Sequence, residues 1–321
     1  MDALSEVLGA IHLDGAVFLD GEFTAPWCVG IQYGLPKETQ LLAGADHIAL
    51  FHFLLDGRCK TRLAEGGGVL DLGPGDCVLY PHDHKHILGS DLSLPALDAD
   101  ALPHIDHGSS QRISHGGGGE VTRFVCGYLA CDRRISRSLL SALPDMMRIS
   151  LGDDASTAWL TGLLRVGVAE SQAQRPGARA QLAKLSELIF VEAMRRYAAA
   201  LPEEERGWLA GLRDPQVGKA LALLHGQPGR AWTVDELARE VAMSRSALGQ
   251  RFADLIGEPP MQYLTHWRLA LAARSLRAGP EAISRIAGRY GYESEAAFNR
   301  AFKREFGVPP ASWRRQVETA E

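Results

Sequence analysis

The spacing of apolar residues changes character along the chain. Short apolar runs, Ile48–Leu55, Val69–Leu72, Cys77–Tyr80 and Arg123–Leu129, are punctuated by Gly, Pro and Asp. This predicts strands and turns from about Ala16 to Tyr128. From Trp159 to Leu201 the period becomes helical: Ala158, Leu160, Leu163, Leu164 and Val166 form one stripe. Leu182, Leu185, Leu188, Ile189, Val191, Ala193 and Met194 form a second, beyond an Arg/Gln/Pro-rich break near Gln172–Arg179. Pro202–Arg206 is short, polar and acidic, and reads as a linker or hinge.

Beyond that linker the pattern repeats. Phe252-Ala-Asp-Leu-Ile-Gly257-Glu-Pro259-Pro260-Met-Gln-Tyr263 matches Phe302-Lys-Arg-Glu-Phe-Gly307-Val-Pro309-Pro310-Ala-Ser-Trp313 at an offset of 50. Leu248 pairs with Phe298 and Ser244 with Ser294 at the same offset. One supersecondary unit has been used twice. Each copy reads as two short helices. In the first, Thr233 and Glu236 form a capping box, Leu237, Ala238 and Val241 face inward, and Ser244 caps a helix burying Leu248, Phe252 and Leu255. In the second, Pro280 opens a helix with Ile283, Ile286 and Ala287 inward. Gly291 turns the chain, and Ser294 caps a helix burying Ala297, Phe298, Ala301 and Phe302. A helix over about Met261–Ala278, with Leu264, Leu269, Ala272 and Leu276 inward, joins the copies. The faces left over are polar and basic: Arg245, Ser246, Gln250 and Arg251 in one copy, Glu295, Asn299, Arg300, Lys303 and Arg304 in the other. Two helices joined by a tight turn can set the second into a DNA major groove. Arg, Gln and Asn are the side chains that make paired hydrogen bonds to base edges.

Charge sharpens that picture. The chain of 321 residues carries a net −5, but Arg213 onward holds 16 Lys and Arg against 12 Asp and Glu, leaving 18 against 27 before it. A basic C-terminal part attached to an acidic N-terminal part fits one nucleic-acid-facing module and one that is not. No apolar stretch reaches membrane-spanning length, and the N-terminus lacks the basic region of a signal peptide. Five scattered cysteines, without a CxxC pair, fit free thiols in a reducing cytoplasm.

Residues Ala231–Arg315 resemble the AraC/XylS family of bacterial regulators, including Ile286-Ala-Gly-Arg-Tyr-Gly291-Tyr-Glu-Ser294…Phe298-Asn-Arg-Ala-Phe302-Lys…Phe306-Gly-Val-Pro309-Pro310. The resemblance implies a reader of double-stranded DNA that sets two recognition helices into successive major-groove segments, with RNA polymerase as a partner. The family's base-reading positions fall on Ser246, Gly249 and Gln250 in the first copy, and on Glu295, Ala296, Asn299 and Arg300 in the second. Gly249 and Ala296 carry no hydrogen-bonding side chain, so readout leans on Gln250, Asn299 and Arg300. Arg245, Arg251, Arg268, Lys303 and Arg304 are the expected phosphate contacts.

The N-terminal part resembles a cupin β-barrel. Gly75, Pro81 and His86 sit at the spacing of its second motif, and Phe51–Gly57 fits its earlier strand. Such a barrel before this DNA-binding module implies control by a small-molecule effector, with His52 and His86 as pocket residues. The same two histidines are candidate transition-metal ligands. Catalytic cupins also supply an HxH pair and a Glu, but here those positions fall on Gly44, Asp46 and Leu50, which argues against a metal-dependent enzyme. His52 shares strand parity with Leu50, and His47 should point the other way. A redox sensor is the other reading, with Cys28 and Cys126 in loop or strand-end contexts as exposed thiols. Cys59 and Cys77 read as core, and His115–Gly119 as a flexible loop.

These readings converge on an α+β chain. Residues 1–150 form a cupin-like effector-sensing domain, 151–205 a helical dimerisation or connecting region, and 206–321 an all-α DNA-binding domain with two helix-turn-helix units. The expected function is sequence-specific transcription regulation in the cytoplasm, as an activator and with a homodimer among its partners. An adaptor that uses the helical pairs on protein alone is the rival from another class, and the basic polar faces argue against it.

Overall fold

The structure, a computed structural model, describes residues 3–11, 14–32, 45–102, 104–106, 111–133, 135–151, 158–202 and 204–318. The expected position of Gly44, and Glu203 in the linker, lie outside them. Two sheets carry the N-terminal part. The larger contains β1 (Asp14–Thr24), β3 (His47–Asp56), β6 (Asp76–Tyr80), β9 (His104–Asp106), β10 (Gln111–Gly116), β11 (Val121–Cys131) and β12 (Met147–Ser150), in the order β12-β6-β3-β11-β1-β10-β9. The smaller contains β2 (Cys28–Ile31), β4 (Cys59–Leu63), β5 (Leu70–Leu72), β7 (His86–Gly89) and β8 (Leu97–Asp98), in the order β5-β4-β7-β2-β8. Only β1–β10 and β2–β8 run parallel among the described pairs.

Strand β3 shows how the pattern fixes the layers. Its even positions Ile48, Leu50 and Leu54 enter the core between the sheets, with Phe23, Val29, Val78, Leu88 and Phe124. Its odd positions Phe51, Phe53 and Leu55 enter a second core on the outer face. That face is covered by α3 (Ala158–Gln172) and α4 (Ala178–Ala200), through Leu164, Leu182, Leu185, Ile189 and Phe190. A strand buried on both sides reads as a continuous apolar run, which is what His47–Asp56 is. At Gly167, where the two helices cross, an added Cβ would lie 2.8 Å from Leu182.

The glycine run does not behave as the flexible loop its composition suggested. Gly117 and Gly119 donate to Thr24 O and Ala25 O, and a Cβ on Gly119 would sit 2.6 Å from Ala25 O. The run is glycine-rich because it lies against the end of β1.

The helical C-terminal part opens with α5 (Trp208–Arg213) and α6 (Pro215–Gly226), then α7 (Val234–Glu240), α8 (Arg245–Ile256), α9 (Pro260–Arg277), α10 (Ile283–Arg289), α11 (Glu295–Phe306) and α12 (Pro310–Glu318). The local chemistry is visible at each boundary. Thr233 and Glu236 form the reciprocal capping box of α7. Ser244 and Ser294 accept from the amides of Ala247 and Ala297 to start α8 and α11. Gly257 and Gly307 stop those helices in the left-handed region, at φ +87° and +78°. Proline then opens the next helix in both copies, so the repeat runs on through Tyr263 and Trp313, both buried.

Two details differ from the sequence reading. Helix α10 begins at Ile283 rather than Pro280; ahead of it Glu281 accepts from Arg289 at its carboxylate and from Arg314 at its carbonyl. The offset between copies is 50 for α8 and α11 but 49 for α7 and α10, so the second turn is one residue longer. Gly291 takes the left-handed conformation in that turn, and Ala242 takes it in the first.

Two short N-terminal elements reach the C-terminal helices. Helix α1 (Ala3–Ala10) packs on α6 through Ala3 and Val7, and Arg274 of α9 donates to its Gly9 carbonyl. Helix α2 (Arg137–Leu140) follows Asp132, which pairs with Arg277 of α9 at 2.8 Å, and Ile135, which packs against the cores of both helical units.

Phe302 packs fully buried against Phe298, Phe306 and Trp313. Phe302→Ala should cost about 3–5 kcal/mol of the second unit's stability, read by urea denaturation. A loss below about 1 kcal/mol would contradict this packing.

Candidate nucleic-acid interface

Helices α8 and α11 each bury one narrow stripe, Leu248 and Phe252 in one, Phe298, Phe302 and Phe306 in the other. The opposite faces stay open. Ser246 and Gln250 are exposed on α8, and Gly249 between them has nothing within 4 Å of where a Cβ would stand. On α11, Glu295, Ala296 and Arg300 are exposed and Asn299 is half-buried. Gln250 donates to Asp254 at 2.7 Å, one turn along its own helix, which orients the amide across the face.

The five cations assigned to phosphate take different places. Lys303 and Arg304 are exposed on α11. Arg245 pairs with Asp235 at 3.2 Å, joining the two helices of the first unit. Arg251 donates to Asp214 at 2.7 Å, and that carboxylate also caps α6 through Gln216 and Val217. Arg268 points elsewhere. Its donors go to the carbonyls of Pro228 and Arg230 at 2.6 and 2.7 Å, and the side chain lies half-buried against them, turned into the protein.

The second group of expected site residues meets at the centre of the sandwich. His52 and Cys126 are register partners on β3 and β11, so both side chains enter the same core. His52 Nδ1 lies 2.7 Å from Cys126 Sγ, and its Nε2 lies 2.7 Å from Nε2 of His86 on the opposite sheet. His86 Nδ1 reaches the His84 carbonyl at 2.9 Å, and Tyr80 stacks on the His86 ring with centroids 3.6 Å apart. A second bond between the sheets runs from Tyr80 to Thr61 at 2.6 Å. Burial, and then the neighbouring imidazole, pushes His52 well below its ordinary pKa, and burial pushes His86 down to about 4. Two neutral rings sharing one hydrogen bond are the result. The geometry gives a metal two facing nitrogens, and no group of three His, Cys, Asp or Glu ligands stands together among the described residues. His47 turns away, as parity required, and bonds the Pro81 carbonyl at 2.7 Å.

The thiols overturn one expectation. Cys28 opens β2 and Cys126 lies in the middle of β11, and both are buried rather than exposed. Burial raises both thiols, Cys126 strongly, so neither has the stabilised thiolate of a reactive cysteine. No local signal in the residues marks the contacts made on the helical part: Asp132 with Arg277, Arg137 with Glu305 at 3.9 Å, and His266 with Glu258 at 2.8 Å.

Residues 2–199 match the cupin family and residues 237–316 a helix-turn-helix domain family. An AraC-like transcription regulator of Streptomyces lividans is 33% identical over 320 residues, covering 98% of each chain. RclR of Escherichia coli K12, an RCS-specific HTH-type transcriptional activator, is 29% identical over 99% of this chain and 98% of its own. A crystal structure of an AraC-type DNA-binding regulator from Chromobacterium violaceum is 25% identical, covering 32% of this chain and 92% of that one, at a TM-score of 0.31.

The buried histidines set a sign for stability. Both fold with pKa values below the unfolded value of about 6.5, so the unfolded chain binds more protons between about 6.5 and 4. Their contribution is complete above that window and is lost as pH falls through it. His86→Gln should flatten the pH dependence of urea stability there, and an unchanged slope would contradict the pair. All five thiols should also resist a thiol reagent in the native chain and react after unfolding; rapid native labelling of Cys28 or Cys126 would contradict their burial.

Proposed function

The chain belongs to the AraC-type transcription regulators with an N-terminal cupin domain, and on that premise we propose that it activates transcription from a bipartite DNA site under control of a small molecule. The observation that carries the reading is the duplicated pair of serine-capped helices with open polar faces. Gln250, Asn299 and Arg300 read base edges, with Ser246 and Glu295 beside them, and Arg245, Arg251, Lys303 and Arg304 meet phosphates. RNA polymerase is the partner on the DNA, and the activator named in Escherichia coli supports that direction of control.

The effector's seat is the core between the sheets. Its polar centre is the His52–His86 bond, and Leu50, Tyr80 and Phe124 surround it. A small uncharged molecule with one polar end would exchange that bond for its own: both rings are neutral, and with His86 Nδ1–H donating to the His84 carbonyl, His52 Nε2–H donates to His86 Nε2, so the pair offers one donor and one acceptor. The chain acts as a dimer through α3 and α4. Trp159, Leu163 and Val166 follow one helical stripe and are 38–50% exposed, with Leu188 of α4 at 44%. Apolar stripes of this kind mark contact surfaces, and a symmetric pair would cover them.

Selection of duplexes from a random pool by the full chain, followed by titration over salt, tests the DNA reading. Affinity should fall steeply with salt, by about 0.9 log units per tenfold for each phosphate contact. Arg300→Ala should cost ~1–3 kcal/mol on the selected duplex and relax preference at one base position. No enriched sequence, or affinity indifferent to salt, would overturn the reading. Leu163→Glu should shift the chain toward monomer in sedimentation, and an unchanged mass would remove the α3–α4 interface.

A further inference from the structure

Arg268 stands where a DNA-facing cation was expected, yet its geometry serves another purpose. Nε donates to Pro228 O at 2.6 Å and Nη2 to Arg230 O at 2.7 Å. Those carbonyls belong to the loop that leads into α7, the entrance of the first helix-turn-helix unit. The same guanidinium lies on the turn of the second unit. A Cβ on Gly291 would stand 2.9 Å from Arg268 Nη2 and 2.9 Å from Gly229 O, and a Cβ on Gly229 would stand 2.3 Å from Arg289 O. Loop 228–230 and turn 289–291 therefore touch backbone to backbone, and glycine on each side permits it. Arg268 pins the pair from α9, the helix that joins the two units.

Two residues earlier on α9, His266 makes a second connection. Its Nδ1 lies 2.8 Å from Glu258, at the end of the first unit, and its Nε2 lies 3.7 Å from Glu305 in the second. The joining helix is thus tied to both units at separate places, and the Arg268 tie is the one made of backbone carbonyls.

We propose that Arg268 is a positioning residue, which sets the spacing of the two recognition helices by pinning the entrance of one unit to the turn of the other, and which meets no phosphate. The inference rests on the DNA reading above. Two heads must match successive groove segments about one helical turn apart. Spacing fixed before binding avoids the cost of ordering the heads on the DNA. A planar fork is needed, because it serves two carbonyls at once while lysine offers one compact charge.

The test uses the full chain with Arg268→Met, which keeps most of the apolar stem, and Arg268→Lys, which keeps the charge. The probes are a duplex selected by the unaltered chain, the same duplex with one half scrambled, and versions with the halves moved by one or two base pairs. Both variants should lose about tenfold on the intact duplex, corresponding to the usual size of a site-to-site coupling. They should bind the half-scrambled duplex within about twofold of the unaltered chain, respond less to spacing, and keep its salt slope. Retained half-site binding also shows that the variants fold. Equal losses on intact and half-scrambled duplexes, with a salt slope reduced by about one and rescue by lysine, would make Arg268 a phosphate contact and overturn the proposal. Unchanged spacing dependence in both variants would overturn it too. Failure of the unaltered chain to select any duplex would instead bring down the DNA reading, and this inference with it.

Discussion

Both recognition helices take their position from one buried helix, Pro260–Arg277. Tyr263, Leu264 and Trp267 on its first half belong to the core shared with α6, α7 and α8, and Leu269, Ala272, Ala273 and Leu276 on its second half belong to the core of α10 and α11. Tyr263 is fixed further by hydrogen bonds from Trp208 and to His225, each at 2.7 Å. An apolar face that must serve two cores in sequence leaves little freedom for the helix to rotate. A change that tilts it would move both heads together, because close-packed interiors shift between discrete arrangements rather than deform smoothly.

The N-terminal part meets α5, α6 and that helix, and touches α11 through Arg137 and Glu305, away from the open polar faces. Asp132 meets Arg277 at the end of α9, where the guanidinium also lies 4.3 Å over the Trp313 ring. Ile135 enters between the two helical cores, and Arg274 reaches back to α1. The polar faces of α8 and α11 stay open while these contacts are made. This geometry suits control through the position of the heads better than control by masking. Rearrangement between the sheets, where His52 and His86 hold the two layers together, has a short structural route to Asp132, which directly follows β11.

Much of this was legible in the residues, and the reason is local chemistry. The capping box at Thr233, the serine caps, the left-handed glycines and the 50-residue repeat are written in short windows, so the twin units could be read without tertiary information. Strand parity likewise put His52 on the inner face and His47 on the outer one. What could not be read depends on distant partners. Cys126 looked like a strand-end thiol because burial by His52 and Phe124 is settled by pairing with a strand some seventy residues away. Arg268 looked like a DNA contact because nothing near it in sequence reveals the carbonyls of Pro228 and Arg230. The contacts of α1 and Asp132 join residues more than a hundred positions apart, and no periodicity encodes them.

Hydroxyl-radical footprinting of the full chain on its selected duplex tests most directly whether one chain presents two heads to one face of DNA at a spacing held by α9. Two protected patches on the same face, separated by about one helical turn of roughly ten base pairs, are the predicted result. A single protected patch, or two patches whose separation follows any spacing built into the DNA, would contradict it.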